Sequence, residues 1–333
     1  MKITVIGSGG WGTALAVLLH KNGHQVTIWS FAQSEIDYIN EHHENALLKG
    51  VRIPEEIGLT ADIAQAEEAD LVVSAVPSFA VRQTAEKLRD HLREDAILVS
   101  VTKGIERGTA KRMSEILAEV TGHTVAVLSG PTHAEEVGRG IPTGCVVACP
   151  DEKIAETVQD VFMSPVFRVY AGADIVGVEL GAALKNIYAL IAGVLDGAGC
   201  GDNTKALMMT RGLTESARLG VALGAQRETF AGLSGVGDLI VTCCSMHSRN
   251  HRCGILIGQG KGVQEAMKEV GAVVEGYYAA ASAHDLALKT GTEMPIAEAA
   301  YQALYGDMTV QQAIEALMSR DRKREVETNW LLG

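Results

Sequence analysis

The sequence predicts an α/β Rossmann-like N-terminal domain, a doubly wound parallel-containing sheet, followed by an all-α C-terminal domain. Three observations carry that expectation. Apolar strand-like runs alternate with amphipathic helical patterns through the first half, which is how βαβ units and a parallel sheet read in sequence. A glycine string, Gly7-Ser8-Gly9-Gly10-Trp11-Gly12, separates the first such strand from the first such helix. After Gly172 the strand runs stop and long Ala/Leu/Gly-rich helical stretches replace them. The boundary is therefore placed near 172, with domains 1–172 and 173–333, in keeping with about 150 residues per domain.

The elements follow in order. Strands are expected over Lys2–Ile6, Gln25–Trp29, Leu71–Val76, Ala96–Val101, Val125–Leu128, Cys145–Cys149 and Phe167–Tyr170, where β-branched and apolar residues cluster between turn signals. Helical spacing marks Thr13–Lys21, Phe79–Leu92, Ala110–Val120 and Glu152–Phe162. In the second half it marks Asp174–Leu195, Thr204–Leu223, Val263–Val270, Tyr277–Thr290, Ile296–Tyr305 and Val310–Met318. The tail Arg320–Glu327 is a mixed charge run, read as a solvated helix end or fraying terminus.

Composition narrows the function classes. The 333 residues are 47% hydrophobic, enough for a substantial core, and the charge is 29 − 41 = −12. An acidic surface disfavours a broad phosphate-neutralising face, so no nucleic-acid partner is expected. The six cysteines have no disulfide-framework spacing, and the N-terminus runs directly into Gly7 without a signal-peptide core. The longest apolar stretch, Tyr188–Leu195, is far below the ~20 residues that span a bilayer. A reduced cytoplasmic protein without membrane insertion is expected.

The glycine string fits G-x-G-x-x-G in the context that gives it meaning, strand before and helix after. Gly7 permits the tight turn, Gly9 lets the backbone approach a pyrophosphate, and Gly12 lets helix and strand pack closely. In such sheets ligands bind beyond the carboxyl ends of the strands, where Ser30, Pro77-Ser78, Thr102-Lys103-Gly104 and Ser129-Gly130-Pro131-Thr132 fall. Lys103 is the strongly basic group among them. The end of the second strand, Trp29-Ser30-Phe31-Ala32-Gln33-Ser34, offers neither the acid that favours NAD nor the Arg that favours NADP, and Glu35 comes several residues late. The expectation is that both cofactors are used.

In the helical half, Lys185-Asn186 interrupts an almost wholly apolar helix. A Lys there is costly unless paired or functional, and desolvation makes it a usable proton donor; a snorkelling Lys is the structural alternative. Asp196–Asn203 reads as a glycine-rich connector. Asp238 follows a small-residue turn, where it either aims a carboxylate into a cleft or simply begins a helix. Ser248-Arg249-Asn250 is a compact donor cluster suited to a phosphate. Cys243, Cys244, His247, His251 and Cys253 raise a zinc alternative without a paired C-x-x-C, and the two histidines read equally well as loop polar groups. No metal is expected.

Taken together, the chain resembles the bacterial-type NAD(P)-dependent glycerol-3-phosphate dehydrogenases over nearly its whole length. The resemblance rests on GSGGWGTALA at 7–16, SVTKGIE at 100–106, LSGPTHAEEV at 128–137, GAALKNIYALIAGVLDG at 181–197, GDNTKALMMTRGLTE at 201–215, GVGDLIVTCCSMHSRN at 235–250 and VVEGYYAA at 273–280. It implies cofactor contacts from Gly10, Trp11, Phe31, Lys103, Ala134, Arg249, Val273 and Glu275, joining Gly7, Gly9 and Gly12. It implies substrate contacts from Lys103, Gly130, Thr132, Lys185, Asp238, Ser248, Arg249 and Asn250, with Lys185 as general acid/base. Two departures stand out: a basic residue usual after the second strand is absent around Ser30-Phe31, and the usual Ser-Phe after Gly-Pro is Thr132-His133.

The implied chemistry is reversible hydride transfer between NAD(P)H and dihydroxyacetone phosphate, giving sn-glycerol 3-phosphate for glycerophospholipid synthesis, in a cleft between the domains. The rivals are another two-domain NAD(P)-dependent reductase or β-hydroxyacid dehydrogenase, a non-catalytic NAD(H)-binding sensor, and a zinc enzyme. Assembly, a homodimer included, is left open by the sequence.

Overall fold

The computed structural model describes residues 1–325, so Val326 and Glu327 of the charged run lie outside the described residues. The rest of that run is not simply solvated: Arg320 and Lys323 both approach Glu293, at 3.6 and 2.7 Å. The chain packs as two compact units, residues 1–106 with 111–179, and residues 107–110 with Leu180 onward.

The first unit is built on an eight-stranded sheet. In chain order the strands are β1 (Lys2–Ile6), β2 (Gln25–Trp29), β3 (Glu44–Asn45), β4 (Leu48–Arg52), β5 (Gly58–Thr60), β6 (Leu71–Ser74), β7 (Ile97–Ser100), β8 (Val125–Ser129), β9 (Thr143–Ala148) and β10 (Phe167–Gly172). The sheet order is β10-β9-β8-β7-β6-β1-β2-β5, with β3 and β4 forming a separate hairpin. From β2 through β1, β6, β7 to β8 every pairing is parallel, so the carboxyl ends of these strands share one edge. Strand β9 runs antiparallel to β8. A parallel return needs a long crossover, usually a full helix, and the β8–β9 link contains only the helix Ala134–Gly138, five residues long.

Helices of this unit are α1 (Gly10–Lys21), α2 (Gln33–His42), α3 (Val81–Leu88), α4 (Met113–Thr121), α5 (Ala134–Gly138) and α6 (Glu152–Phe162). Alternation along the strands separates two cores. Ile3, Val5, Leu71, Val73 and Val99 pack with Leu15, Leu18 and Leu19 of α1, whereas Ile6, Val72 and Leu98 pack with Val81 and Leu88 of α3 and Ile116 and Leu117 of α4. The sequence reading did not anticipate α2, the β3–β4 hairpin or β5. Helix α2 buries only Ile36 and Ile39, too thin a stripe for periodicity to register.

The second unit is helical. Helix α7 (Ile175–Gly197), whose residues from Leu180 belong here, is followed by α8 (Asp202–Ala222), α9 (Arg227–Phe230), a π turn (Leu233–Gly237), α10 (Asp238–Cys244), α11 (Arg249–Gly258), α12 (Val263–Val270), α13 (Glu275–Thr290), α14 (Pro295–Tyr305) and α15 (Val310–Met318). Helix α7 is long and apolar enough to cross a membrane, yet 83% of that apolar window is buried inside the protein, the pattern of a core helix. Glycines set its packing. A Cβ at Gly193 or Gly197 would lie 2.0 and 2.2 Å from the carbonyl oxygens of His251 and Ile255, and one at Gly254 or Gly258 would lie 2.0 and 2.2 Å from those of Leu190 and Val194. Helices α7 and α11 therefore touch backbone to backbone, through glycines one turn apart on both.

Candidate active site

In the first unit, candidate residues gather at the carboxyl edge of the sheet. Gly7 leaves β1 with φ +123°, and a Cβ there would sit 2.8 Å from the Ala75 carbonyl oxygen. A Cβ at Gly12 would lie 2.1 Å from the Gly7 carbonyl oxygen, while one at Gly9 would meet nothing within 4 Å. The turn is thus closed where packing demands it and open where a ligand would approach. Helix α1 begins at Gly10 with Gly9 as N-cap and no side-chain cap, leaving its first N–H groups for an anion. Trp11 Nε1 is buried with no hydrogen-bond partner. These are the features a dinucleotide pyrophosphate requires, and the residues fit it.

Neighbouring strand ends supply the rest. Lys103 Nζ donates to the Gly130 carbonyl at 2.9 Å, and Thr132 Oγ1 donates to the same oxygen at 3.1 Å. Gly130 itself, at φ +158°, faces Cys145, whose Cα would be 2.8 Å from any Cβ added there. Ala134 opens α5, with its Cβ 3.9 Å from where a Cβ on Gly10 would be. Lys103, Gly130 and Thr132 are brought together, and Ala134 stands beside the glycine turn. Phe31 is 77% exposed beyond β2, with Lys87 Nζ 5.0 Å from its ring centroid.

Two residues of this unit were missed by sequence. Asn45, from the β3–β4 hairpin, donates to the Ser8 carbonyl at 2.6 Å and to Thr13 Oγ1 at 2.7 Å, bracing the turn; nothing local in the sequence marks it. Glu35, judged too late in the chain, lies in the first turn of α2 and brings its carboxylate back to the end of β2. Ser30 Oγ donates to its Oε2 at 2.6 Å and Ser8 Oγ donates to the same oxygen. Helix α2 starts at Gln33, so its first turn folds the chain back and offsets the extra residues.

The helical unit holds its own cluster of candidate residues. Lys185 is only 6% exposed, and its Nζ is 2.7 Å from Asp238 Oδ1. It donates to Thr242 Oγ1 at 2.5 Å, and Thr242 donates in turn to the Asp238 carbonyl at 2.6 Å. The snorkelling alternative is therefore replaced by a buried ion pair. Asp238 does open α10, with Gly237 as N-cap, and its carboxylate serves Lys185 as well. Thr242 was missed; it lies one turn beyond Asp238 on a helix the periodicity did not show.

Asn250 Nδ2 donates to Asn186 Oδ1 at 2.9 Å, and Gly276 N donates to Asn250 Oδ1 at 2.9 Å. This ties α11 to α7 and to the start of α13, where Val273 and Glu275 shortly precede Gly276. Ser248 is the N-cap of α11, accepting from His251 N at 3.2 Å. Arg249, the first residue of α11, is exposed, whereas Ser248 and Asn250 are buried.

The zinc alternative finds no convergence: among the described residues no group of three or more His, Cys, Asp or Glu side chains is placed to hold a metal. Cys243 and Cys253 are buried, with burial raising both thiols, Cys253 to about 11. His247 is in an exposed loop, but His251, expected there as well, is inside α11, 3% exposed, with Nε2 2.9 Å from Asp196 Oδ2.

Comparisons with known proteins bear on the family. Residues 2–155 match the family described as NAD-dependent glycerol-3-phosphate dehydrogenase N-terminus, and residues 174–315 match its C-terminus. The chain is 53% identical to glycerol-3-phosphate dehydrogenase [NAD(P)+] of Moorella thermoacetica, over 98% of each chain. It is 50% identical to that of Fusobacterium nucleatum, over 98% of this chain and 99% of the relative. The crystal structure of glycerol-3-phosphate dehydrogenase from Coxiella burnetii superposes with TM-score 0.92 at 34% identity, over 96% of this chain and 99% of that one. A ketopantoate reductase from Ralstonia eutropha, at TM-score 0.53 and 14% identity, shares the fold alone. With both halves matched in order by one family and its relatives aligned end to end, the chain belongs to the NAD-dependent glycerol-3-phosphate dehydrogenases.

Proposed function

We propose that this chain interconverts dihydroxyacetone phosphate and sn-glycerol 3-phosphate, with Lys185 as general acid/base and Arg249 as the phosphate-binding cation. The observation that supports it most is the buried Lys185–Asp238–Thr242 cluster, with its 2.7 Å ion pair. When bound, the reduced nicotinamide supplies the hydride. Every other part falls to the protein. A buried ammonium needs a compensating partner, and the Asp238 carboxylate, 2.7 Å away, is that partner. Thr242 fixes its direction. An ammonium so held can donate a proton to the oxygen that becomes alkoxide, and recover it in the reverse direction.

Arg249 is exposed at the start of α11, where a guanidinium can take a phosphate in fork geometry, beside the positive end of a helix. Asn250 and Asn186 act as positioning residues, since their side chains bond to each other. Within the first unit, Lys103, Gly130 and Thr132 are the candidate substrate-facing groups, and Gly7, Gly9, Gly10, Trp11, Gly12 and Ala134 form the dinucleotide cradle. The product is a phosphorylated three-carbon alcohol of the kind that carries acyl chains in glycerophospholipids, and a cytoplasmic setting suits its reduced thiols.

The test is an absorbance assay of NADH and NADPH oxidation with dihydroxyacetone phosphate against unphosphorylated dihydroxyacetone. A phosphate held by a charged group contributes on the order of 2–3 kcal/mol, so kcat/KM should favour the phosphate ester by roughly 30- to 150-fold. Equal rates on the two ketones would dismiss Arg249 as a phosphate ligand and the substrate assignment with it.

A further inference from the structure

We propose that Glu35 is the specificity-determining residue for the cofactor, selecting NAD(H) over NADP(H) by presenting a fixed carboxylate to the adenosine ribose. The inference rests on the dinucleotide reading of the first unit. In doubly wound folds the acid that accepts from the ribose 2′-hydroxyl stands at the carboxyl end of the second strand. Here the chain has no acid at that point in sequence, yet the structure delivers one. Ser30, the residue after β2, donates to Glu35 Oε2 at 2.6 Å. Ser8, inside the glycine turn, donates to the same oxygen, and the two serine hydroxyl oxygens are 2.9 Å apart. A flexible exposed glutamate is thereby anchored by one residue from each of the loops that bound a dinucleotide site. The backbone follows: Ala32 N donates to Ser30 Oγ at 3.2 Å, and α2 then starts at Gln33.

Both serines engage Oε2, and Oε1 accepts no hydrogen bond among the described residues. An outward carboxylate oxygen is an acceptor for a hydroxyl donor. A 2′-phosphate, by contrast, brings negative charge to a negative group that cannot swing away, and like charges juxtaposed at a recognition surface are strongly disfavoured. The competing group is Lys87, whose ammonium lies 5.0 Å from the Phe31 ring centroid. Held over an aromatic face, it is less free to follow a phosphate than an unattached lysine would be.

The experiment is equilibrium titration of the full chain with NADH and with NADPH, read by nucleotide fluorescence, for wild type, Glu35→Gln and Ser30→Ala, with melting temperatures recorded alongside. Wild type should bind NADH about a hundredfold or more tightly than NADPH, with the ratio shrinking as salt rises. Glu35→Gln should bring the ratio to within about fivefold, chiefly by tightening NADPH, because the amide keeps an acceptor and loses the charge. Ser30→Ala keeps the charge but removes an anchor, and should narrow the ratio by a few-fold; it decides the matter if the Gln variant does not fold. A wild-type ratio near one or favouring NADPH would overturn the assignment, as would variants that weaken both nucleotides equally. If neither nucleotide binds wild type, the dinucleotide reading fails and Glu35 loses its role with it.

Discussion

Lys185 and Arg249 are the two side chains whose removal should have opposite kinetic signatures. Lys185→Met nearly preserves volume and helix propensity while deleting the proton donor, so kcat should fall by about 10²- to 10⁴-fold. NADH affinity should survive, since the glycine turn belongs to the first unit. Removing the cation also strands Asp238, which is 1% exposed; Asp238→Asn in the Lys185→Met background should restore melting temperature without restoring turnover. A Lys185→Met enzyme with near-normal kcat would end the acid/base assignment. Arg249→Ala should instead raise KM for dihydroxyacetone phosphate by roughly 30- to 150-fold, the worth of a charge-assisted phosphate contact. Steady-state kinetics at saturating nucleotide separate the two. Lys185 was legible because an ammonium in an apolar helix is conspicuous in the sequence itself. Glu35 and Thr242 were not, because each acquires its partner through a helical turn whose presence the local pattern did not show.

At the level of elements, the close approach of α7 and α11 decides the geometry around Lys185. Ordinarily Gly→Ala inside a helix stabilises by about 0.8–1 kcal/mol. At Gly254 the added Cβ would lie 2.0 Å from the Leu190 carbonyl oxygen, so backbone must move, and overpacking of that kind costs about 1–3 kcal/mol. The cost wins. Gly254→Ala should lower the melting temperature by about 2–8 °C and reduce kcat, through displacement of Asn250 from Asn186. Gly262→Ala, where a Cβ meets nothing within 4 Å, should leave kcat unchanged and lower the melting temperature only by the N-cap preference for glycine over alanine at the start of α12. Calorimetry and kinetics on the pair make the comparison; a neutral Gly254→Ala would show that the helices can separate freely. The same glycines explain why α11 escaped the sequence reading. Helices that pack through absent side chains need few large apolar residues, and periodicity counts large apolar residues. The strands of the first unit, by contrast, were legible because parallel strands covered on both faces are continuous β-branched runs.

For the molecule as a whole, pH should act on stability through Glu215. Its carboxylate is 1% exposed and accepts from Ile296 N, Ala297 N and the Tyr188 hydroxyl. Burial raises its pKa to about 7 from 4.5, against those hydrogen bonds. Between the two values the folded chain holds a proton that the unfolded chain has released, so stability falls as pH rises through that window and levels off above 7. The shift corresponds to about 3 kcal/mol between pH 4.5 and 8. Glu215→Gln should remove that dependence, so the variant gains on wild type in denaturant midpoint as pH rises from 5 to 8. A constant gap across the range would mean that Glu215 does not titrate on folding.

The backbone contact between α7 and α11 also makes the second unit a gauge of substrate length. Lys185 and Asn186 are consecutive on one helix, Arg249 and Asn250 consecutive on the other, and the Asn186–Asn250 hydrogen bond of 2.9 Å pins the two pairs together. On the proposed roles, proton donor and phosphate cation are then carried on backbones a set distance apart, with glycines leaving the helices no slack to spread. A ketone phosphate longer by one carbon would have to be met by the exposed Arg249 side chain alone, because the helices that carry it and Lys185 cannot spread.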